Sequence, residues 1–217
     1  SPVMVWTPAQ AGAFLDHAEA HDLVLYPLYL LILHRGLRRG EAVGLRDADV
    51  DLDAKMMTIA QQITCVGYTP VTKDVKSDAG DRIVALDAVT IAILRAYRAR
   101  RHRWQLLSGG TWANRGGLFF TTPDGTAWHP EQVSNRFENL IRDAGLPPIR
   151  LHDLRHCAAT YLKAAGADIK DIQETLGHSS STITSDTYTS VILELETESA
   201  KADAAVNLIP RTQPKAS

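Results

Sequence analysis

Cysteine is scarce in this 217-residue chain: there are two, Cys65 and Cys157, far apart and in unlike surroundings. No disulfide framework can be built from such a pair, and both thiols read as small buried hydrophobes in a reducing compartment. Long apolar runs are missing too. The longest, Leu23 to Leu33, is interrupted by Pro27 and is too short to span a bilayer. No basic stretch precedes an apolar one near Ser1, so no secretory signal is legible, and a cytoplasmic location is expected. Nor is there an excess of positive charge, since the formal net charge is -2. Bulk charge thus gives no sign of a nucleic-acid partner, but arginines clustered on one face can hide within a neutral total. Arg95, Arg98, Arg100, Arg101 and Arg103 form such a cluster, with no acid in the nine residues they span. They suit a DNA-backbone patch or a solvated helix face.

What is present is ordinary for a globular protein, with 45% hydrophobic and 22% charged residues and enough length for one large domain or two small ones. Thr7-Pro8-Ala9-Gln10 combines an N-cap, a proline at the first helical position and a glutamine three residues on, and predicts a helix to Ala20. A mostly apolar helix from Leu23 to His34 follows, ended by Gly36, then an elbow at 37–41 into a short helix through Gly44. The period then changes. Strands are expected at 56–59, 62–66 and 82–86, with Asp78-Ala79-Gly80-Asp81 as a turn, giving a small antiparallel sheet inside a mainly α protein (α+β). Asp87 caps a long helix to Leu107, a Gly/Ser/Asn-rich loop covers 108–117, and 118–120 reads as a short buried extended segment. Helices are expected at Pro130–Ala144, Leu151–Ala165 and Ile169–Leu176, stopped by glycines 145, 166 and 177. Past Tyr188, the apolar residues Val191, Leu195, Ala202, Val206 and Ile209 draw a narrow stripe along a tail helix.

Chemistry gathers in the second half. An imidazole (His152), a guanidinium (Arg155), a second imidazole (His178) and a phenol (Tyr188) fall within 37 residues. His152 and Arg155 are three apart on a predicted helix and share a face. Upstream, Arg38 opens a helix with Glu41 three residues on, able to fix its orientation, and Lys76 lies at the mouth of a predicted hairpin. Such a set can hold a phosphodiester and attack it.

In this order the motifs G-L-R-R-G-E (36–41), V-K-S-D-A-G-D-R-I-V-A-L (75–86), L-H-D-L-R-H (151–156), T-L-G-H-S-S (175–180) and D-T-Y-T-S-V (186–191) resemble the catalytic domain of the tyrosine recombinase (phage integrase) family. The resemblance runs from Thr7 to about Val191. It implies that fold over 7–189, a catalytic set of Arg38, Lys76, His152, Arg155, His178 and Tyr188, and Glu41 as the acid supporting the arginine. Lys73 competes with Lys76, which has the family's distance to Arg82. Arg39, Lys73 and Arg150 are expected to touch DNA.

The implied activity is site-specific DNA cleavage and rejoining through a 3′-phosphotyrosyl link at Tyr188, with no metal or other cofactor. Integration or excision of a mobile element is the setting it suggests. Expected partners are double-stranded attachment or crossover sites, a homotetramer in the DNA synapse and a monomer when free. Accessory directionality or DNA-bending proteins are a further expectation. Residues 1–6 read as a linker, the family's N-terminal DNA-clamping domain is not visible in this chain, and the 190–217 tail resembles one that docks on a neighbouring protomer. The sequence departs from the family in Arg35, where a small threonine is usual, in Cys157, and in Ser181 and Ser185, often apolar. Three other readings are weighed: a type IB topoisomerase, a non-catalytic DNA-binding relic, and a zinc hydrolase built on His152 and His156. The last lacks the glutamate of the zincin helix.

Overall fold

The computed structural model describes residues 4–75, 81–177 and 188–212, with 188–196 described in backbone only. Eight α-helices and five short strands occur in it: α1 (Pro8–His21), α2 (Tyr26–Arg35), α3 (Arg39–Val43), β1 (Val50–Asp51), β2 (Met56–Ile59), β3 (Gln61–Val66), β4 (Thr69–Asp74), β5 (Arg82–Ala85), α4 (Ala88–Ser108), α5 (Pro130–Ala144), α6 (Asp153–Ala164), α7 (Ile169–Leu176) and α8 (Tyr188–Val206).

The middle of the domain is α2. All ten of its residues are buried, and α1, α3, α4, α6 and α8 all pack against it. A helix enclosed in this way is mostly apolar, which is why Leu28, Leu30, Leu31, Ile32 and Leu33 show no amphipathic spacing, although His34 and Arg35 in its last turn are buried as well. It starts at Tyr26, later than the expected Leu23, since Asp22 Oδ1 accepts from Leu25 N (3.1 Å) and makes 22–25 a turn. Pro27 sits in the first turn, where its missing N–H leaves no partner unsatisfied. Around this helix, Trp6, Phe14, Tyr29 and Phe137 form one aromatic cluster and Tyr97, Phe119 and Phe120 another.

Within the expected linker 1–6, Trp6 packs into the domain. Its side chain is buried, its Nε1 donates to Pro147 O (2.9 Å), and its carbonyl accepts from Tyr161 Oη (2.6 Å). The Thr7 capping box forms as expected, with Gln10 N on Thr7 Oγ1 (3.2 Å) and Thr7 N on Gln10 Oε1 (2.9 Å).

The β region holds two sheets among the described residues, not one. The first, β1-β2-β5, is antiparallel and buries Met57, Ile59, Val84 and Ala85. The second is the β3-β4 hairpin, with Gln62 opposite Lys73. Strand β4 was not anticipated, because Thr69-Pro70-Val71-Thr72-Lys73-Asp74 is exposed along most of its length and shows no alternation. Residues 78–80 of the expected turn lie outside those described; the strands on either side of it, β4 and β5, belong to different sheets.

Three arginines of the α4 cluster are engaged within the fold. Arg101 is buried and donates to Phe119 O (2.6 Å) and Asp47 Oδ1 (2.6 Å), while Arg98 donates to Asp47 Oδ1 (3.0 Å) and Val50 O (2.9 Å). Arg95 pairs with Asp53 (2.8 Å). Acids distant in sequence answer these cations, so a charge run without a local acid was misleading. Cys157 is buried as expected, but Cys65 is only half-buried, with its Sγ 3.7 Å from His129 Nε2.

The tail packs on its own domain. Ala202, Ala205, Val206 and Ile209 are buried, Ala88 N donates to Asp203 Oδ1 (2.8 Å), and Ser199 Oγ donates to Leu86 O (3.2 Å). Lys201 pairs with Asp171, and Arg211 binds Asp16 (2.6 Å) and Glu19 (2.6 Å) of α1. The helix runs unbroken through 190, and the expected stripe residues Val191 and Leu195 lie outside the side chains described.

Candidate active site

Three chain segments meet where α2 ends. Gly36 terminates α2 in the left-handed region (φ 71°), and a Cβ there would stand 2.1 Å from Leu176 Cδ2, so the end of α7 lies directly against this turn. A residue with a side chain is disfavoured on both counts. The chain then extends through Arg38, which is the N-cap of α3. Glu41 reaches back from the first turn to accept from Arg38 N (2.8 Å) and Arg38 Nη1 (3.1 Å). The expected orientation of Arg38 by Glu41 is thus present, with the backbone and the guanidinium held by one carboxylate.

Glu41 itself is buried, and it does not rest on Arg38 alone. Arg82, the first residue of β5, donates from Nη1 to Glu41 Oε1 (2.9 Å) and from Nη2 to Oε2 (2.9 Å). Burial pushes the Glu41 carboxyl up, but the Arg82 hydrogen bonds and charge, followed by Arg38, outweigh it and hold the pKa below the ordinary value. The side chain of Arg38 is 38% exposed and that of Glu41 1%. The carboxylate is closed off while the arginine it holds still opens outward.

His152 and Arg155 take different situations around the start of α6. His152 is the N-cap and is exposed, so the helix begins two residues after the expected Leu151. Arg155, one turn in, is buried; its Nη1 donates to Gly36 O (2.7 Å) and its Nη2 to Leu176 O (2.6 Å). Those carbonyls belong to the last turns of α2 and α7, whose C-terminal ends favour a cation. Burial, then the charge of nearby Arg38, holds the Arg155 pKa down to about 10. The guanidinium stays charged at neutral pH. Burial first, and then the neighbouring His156 and Arg155 charges, lower the His152 pKa, with Asp153 opposing. The His152 and His156 rings meet edge to face, 5.3 Å apart.

A cleft of about 390 Å³ opens beside these groups, lined by Arg38, Arg39, Ser134, Arg150 and His152 among others. Arg39 Nη1 donates to Ser134 Oγ (2.8 Å), and Arg150 makes a fork onto Asp153 (3.1 and 2.8 Å), so both of these expected DNA contacts stand at the rim. Lys73 is exposed on β4, away from this lining. Lys76 and His178 lie outside the described residues; Tyr188 is described only as the first backbone position of α8. Among the described residues, no three His, Cys, Asp or Glu side chains gather to hold a metal, and no helix is long and apolar enough to cross a membrane. The site residue not singled out from sequence is Arg82. Its signal was a charged residue opening an otherwise apolar strand, R-I-V-A-L.

Comparison with known proteins gives the family and the fold. The sequence profile of the phage integrase family matches residues 5–193, and the chain belongs to that family. It is 29% identical over 188 residues to a "Tyrosine recombinase XerC-like" of Caldanaerobacter subterraneus subsp. tengcongensis, covering 82% of this chain and 48% of that protein. It is 33% identical over 180 residues to "Tyrosine recombinase XerC 2" of Ralstonia nicotianae, covering 82% and 46%. The chain therefore spans about half the length of these curated relatives. Among solved structures, the Tn1549 transposon integrase in complex with transposon right end DNA superimposes with a TM-score of 0.71 at 21% identity, over 90% of this chain and 67% of that one. XerH bound to palindromic difH substrate gives 0.62 at 21% identity, over 96% and 51%. These likenesses establish the fold: a tyrosine recombinase catalytic domain, mainly α with small antiparallel sheets.

Proposed function

We propose that this chain cleaves and rejoins DNA strands at specific sites, with Tyr188 as nucleophile. The observation that carries the reading is the presence of Arg38 and His152 in the lining of one cleft, with Arg38 held open by a buried carboxylate and Arg155 anchored to the carbonyl of Gly36, two residues before Arg38. Two planar guanidinium forks match the non-bridging oxygens of a phosphodiester, and their charge stabilises the pentavalent transition state. In the proposed step the Tyr188 phenolic oxygen attacks phosphorus and the bond to the 5′ oxygen breaks. A phenol with an ordinary pKa of about 10 needs help at neutral pH. His152, kept neutral by its lowered pKa, assists removal of the phenolic proton; Lys76 delivers a proton to the leaving 5′ oxygen, and His178 donates to the phosphate. The 3′-phosphotyrosyl ester keeps the bond energy, so an incoming 5′ hydroxyl reverses the step and exchanges strands. No residue in this scheme calls on a metal or nucleotide cofactor.

The substrate in this reading is double-stranded DNA with paired attachment or crossover sites. Contacts to its backbone are assigned to Arg39 and Arg150 in the cleft lining and, outside that lining, to the exposed Lys73 of the hairpin. Exchange of two duplexes takes four protomers on DNA, with the free protein a cytoplasmic monomer and accessory DNA-bending proteins setting direction. The tail then exchanges its own domain for a neighbour's in the synapse.

The test is covalent capture. The protein is incubated with a pool of nicked duplexes bearing randomised arms, and denaturation-resistant adducts are isolated and sequenced. The expected result is an adduct that maps to Tyr188, is enriched for one recognition sequence and is lost in Tyr188→Phe while DNA binding persists. An adduct surviving in Tyr188→Phe overturns the assignment.

A further inference from the structure

Arg82 makes more contacts to the machinery than its place in a strand requires. Besides both Glu41 oxygens, it donates from Nε to Thr175 O (3.1 Å), and it is buried. Its guanidinium lies against Gly177, which is in the left-handed region (φ 76°): a Cβ there would stand 2.9 Å from Arg82 Nη1. Three segments therefore converge on this one side chain. Through Glu41 it reaches Arg38. Through Thr175 O and Gly177 it reaches the end of α7, one residue before His178. In its own backbone it is the point, six residues from Lys76, where the chain re-enters a sheet opposite Ile59.

The geometry of the contacts explains why arginine is required. A planar fork satisfies both carboxylate oxygens in parallel while the Nε–H, pointing sideways, serves the carbonyl. A lysine ammonium brings the same charge but cannot present three donors in that plan. The packing of Gly177 on the guanidinium, with no room for a side chain, fixes the distance between β5 and α7.

We infer that Arg82 is a positioning residue for strand cleavage, which sets Arg38 through Glu41 and ties the start of β5 to the end of α7. It touches no substrate. The inference rests on the reading of Arg38 as a phosphate ligand, and it extends that reading to a side chain with no contact to the DNA.

The experiment uses the full chain and the duplex recovered by covalent capture, and compares wild type, Arg82→Lys, Arg38→Ala and the double variant. Single-turnover cleavage, DNA affinity and thermal midpoint are measured on each. Arg82→Lys should cleave about 10- to 100-fold more slowly, with DNA affinity within about threefold of wild type. In the Arg38→Ala background the same substitution should add little, because its main effect runs through the residue already removed. A merely structural role would instead lower midpoint and affinity together and add its full effect to Arg38→Ala. Cleavage by Arg82→Lys within about threefold of wild type, or full additivity, overturns the inference. If Arg82→Lys does not fold, Glu41→Asp keeps the charges and shortens the link by one methylene, and the same expectations and overturning results apply to it. Wild-type cleavage by Arg38→Ala would instead overturn the clamp reading itself, whatever Arg82 does.

Discussion

Arg155 donates to the carbonyl of Leu176 at 2.6 Å, so a guanidinium on α6 closes the end of α7 just before its C-cap Gly177. The same side chain donates to Gly36 O at 2.7 Å, two residues before Arg38. Arg155 thus joins the two halves of a site that lie more than a hundred residues apart in sequence.

Arg155→Lys keeps a cation but cannot hold both carbonyls and face a phosphate at once. Cleavage of the captured duplex should fall by about 100-fold or more, with DNA binding largely retained. Single-turnover cleavage and gel-shift titration on one preparation check this. A rate within a few-fold of wild type would remove Arg155 from the clamp.

The pH dependence of cleavage follows from His152. Its pKa lies below the ordinary 6.5, so it stays neutral, and able to take a proton, further into acid than a free imidazole. The acid limb of the rate profile should therefore fall below pH 6.5 and disappear in His152→Gln. A limb at or above that value, or one that persists in the variant, would assign it to another group.

Stability in acid turns on a different histidine. His34 is buried with its Nδ1 2.8 Å from Thr90 Oγ1, and burial holds its pKa down to about 4, with Asp87 opposing and Arg211 and Arg35 reinforcing. The folded state therefore resists the proton that the unfolded chain accepts near 6.5. Stability is fully present above that pH and is lost as pH falls from 6.5 towards 4, by about 3 kcal/mol at most. Urea denaturation of wild type and His34→Gln across pH 4 to 7 isolates this contribution as the difference between their curves. Parallel curves would count against it.

The α4 arginines should behave as structural groups. Arg101→Met removes a buried cation from Asp47 and from the Phe119 carbonyl, and should cost about 2–4 kcal/mol. The salt dependence of DNA binding should not change, because no phosphate contact is lost. A slope reduced by about one unit would return Arg101 to the DNA interface.

The chain's local signals were read where the cause is local. Thr7, Asp87 and the glycines at 36, 145 and 177 mark helix ends because a cap hydrogen bond or a positive φ depends on only a few neighbouring residues. The Arg38–Glu41 link was legible for the same reason, since three residues along a first turn bring the groups together. Strand β4 was not legible, because a mostly exposed, proline-containing strand carries no burial period and is defined by its partner β3. The duty of the α4 arginines was hidden in the same way, as Asp47 and Phe119 reach them only through the fold.

By itself the sequence determined which groups are available: two arginines, a histidine at the start of α6 and the carboxylate that orients the first arginine. Tertiary structure decided how they are held. That Arg155 faces the carbonyls of Gly36 and Leu176, and that Arg82 closes both oxygens of Glu41, depends on helix ends and a strand brought together from positions 36 to 176. Hydrogen bonds across such separations leave no period in the sequence. They exist because burying α2 on all sides draws its end, α3, β5 and α7 into one place.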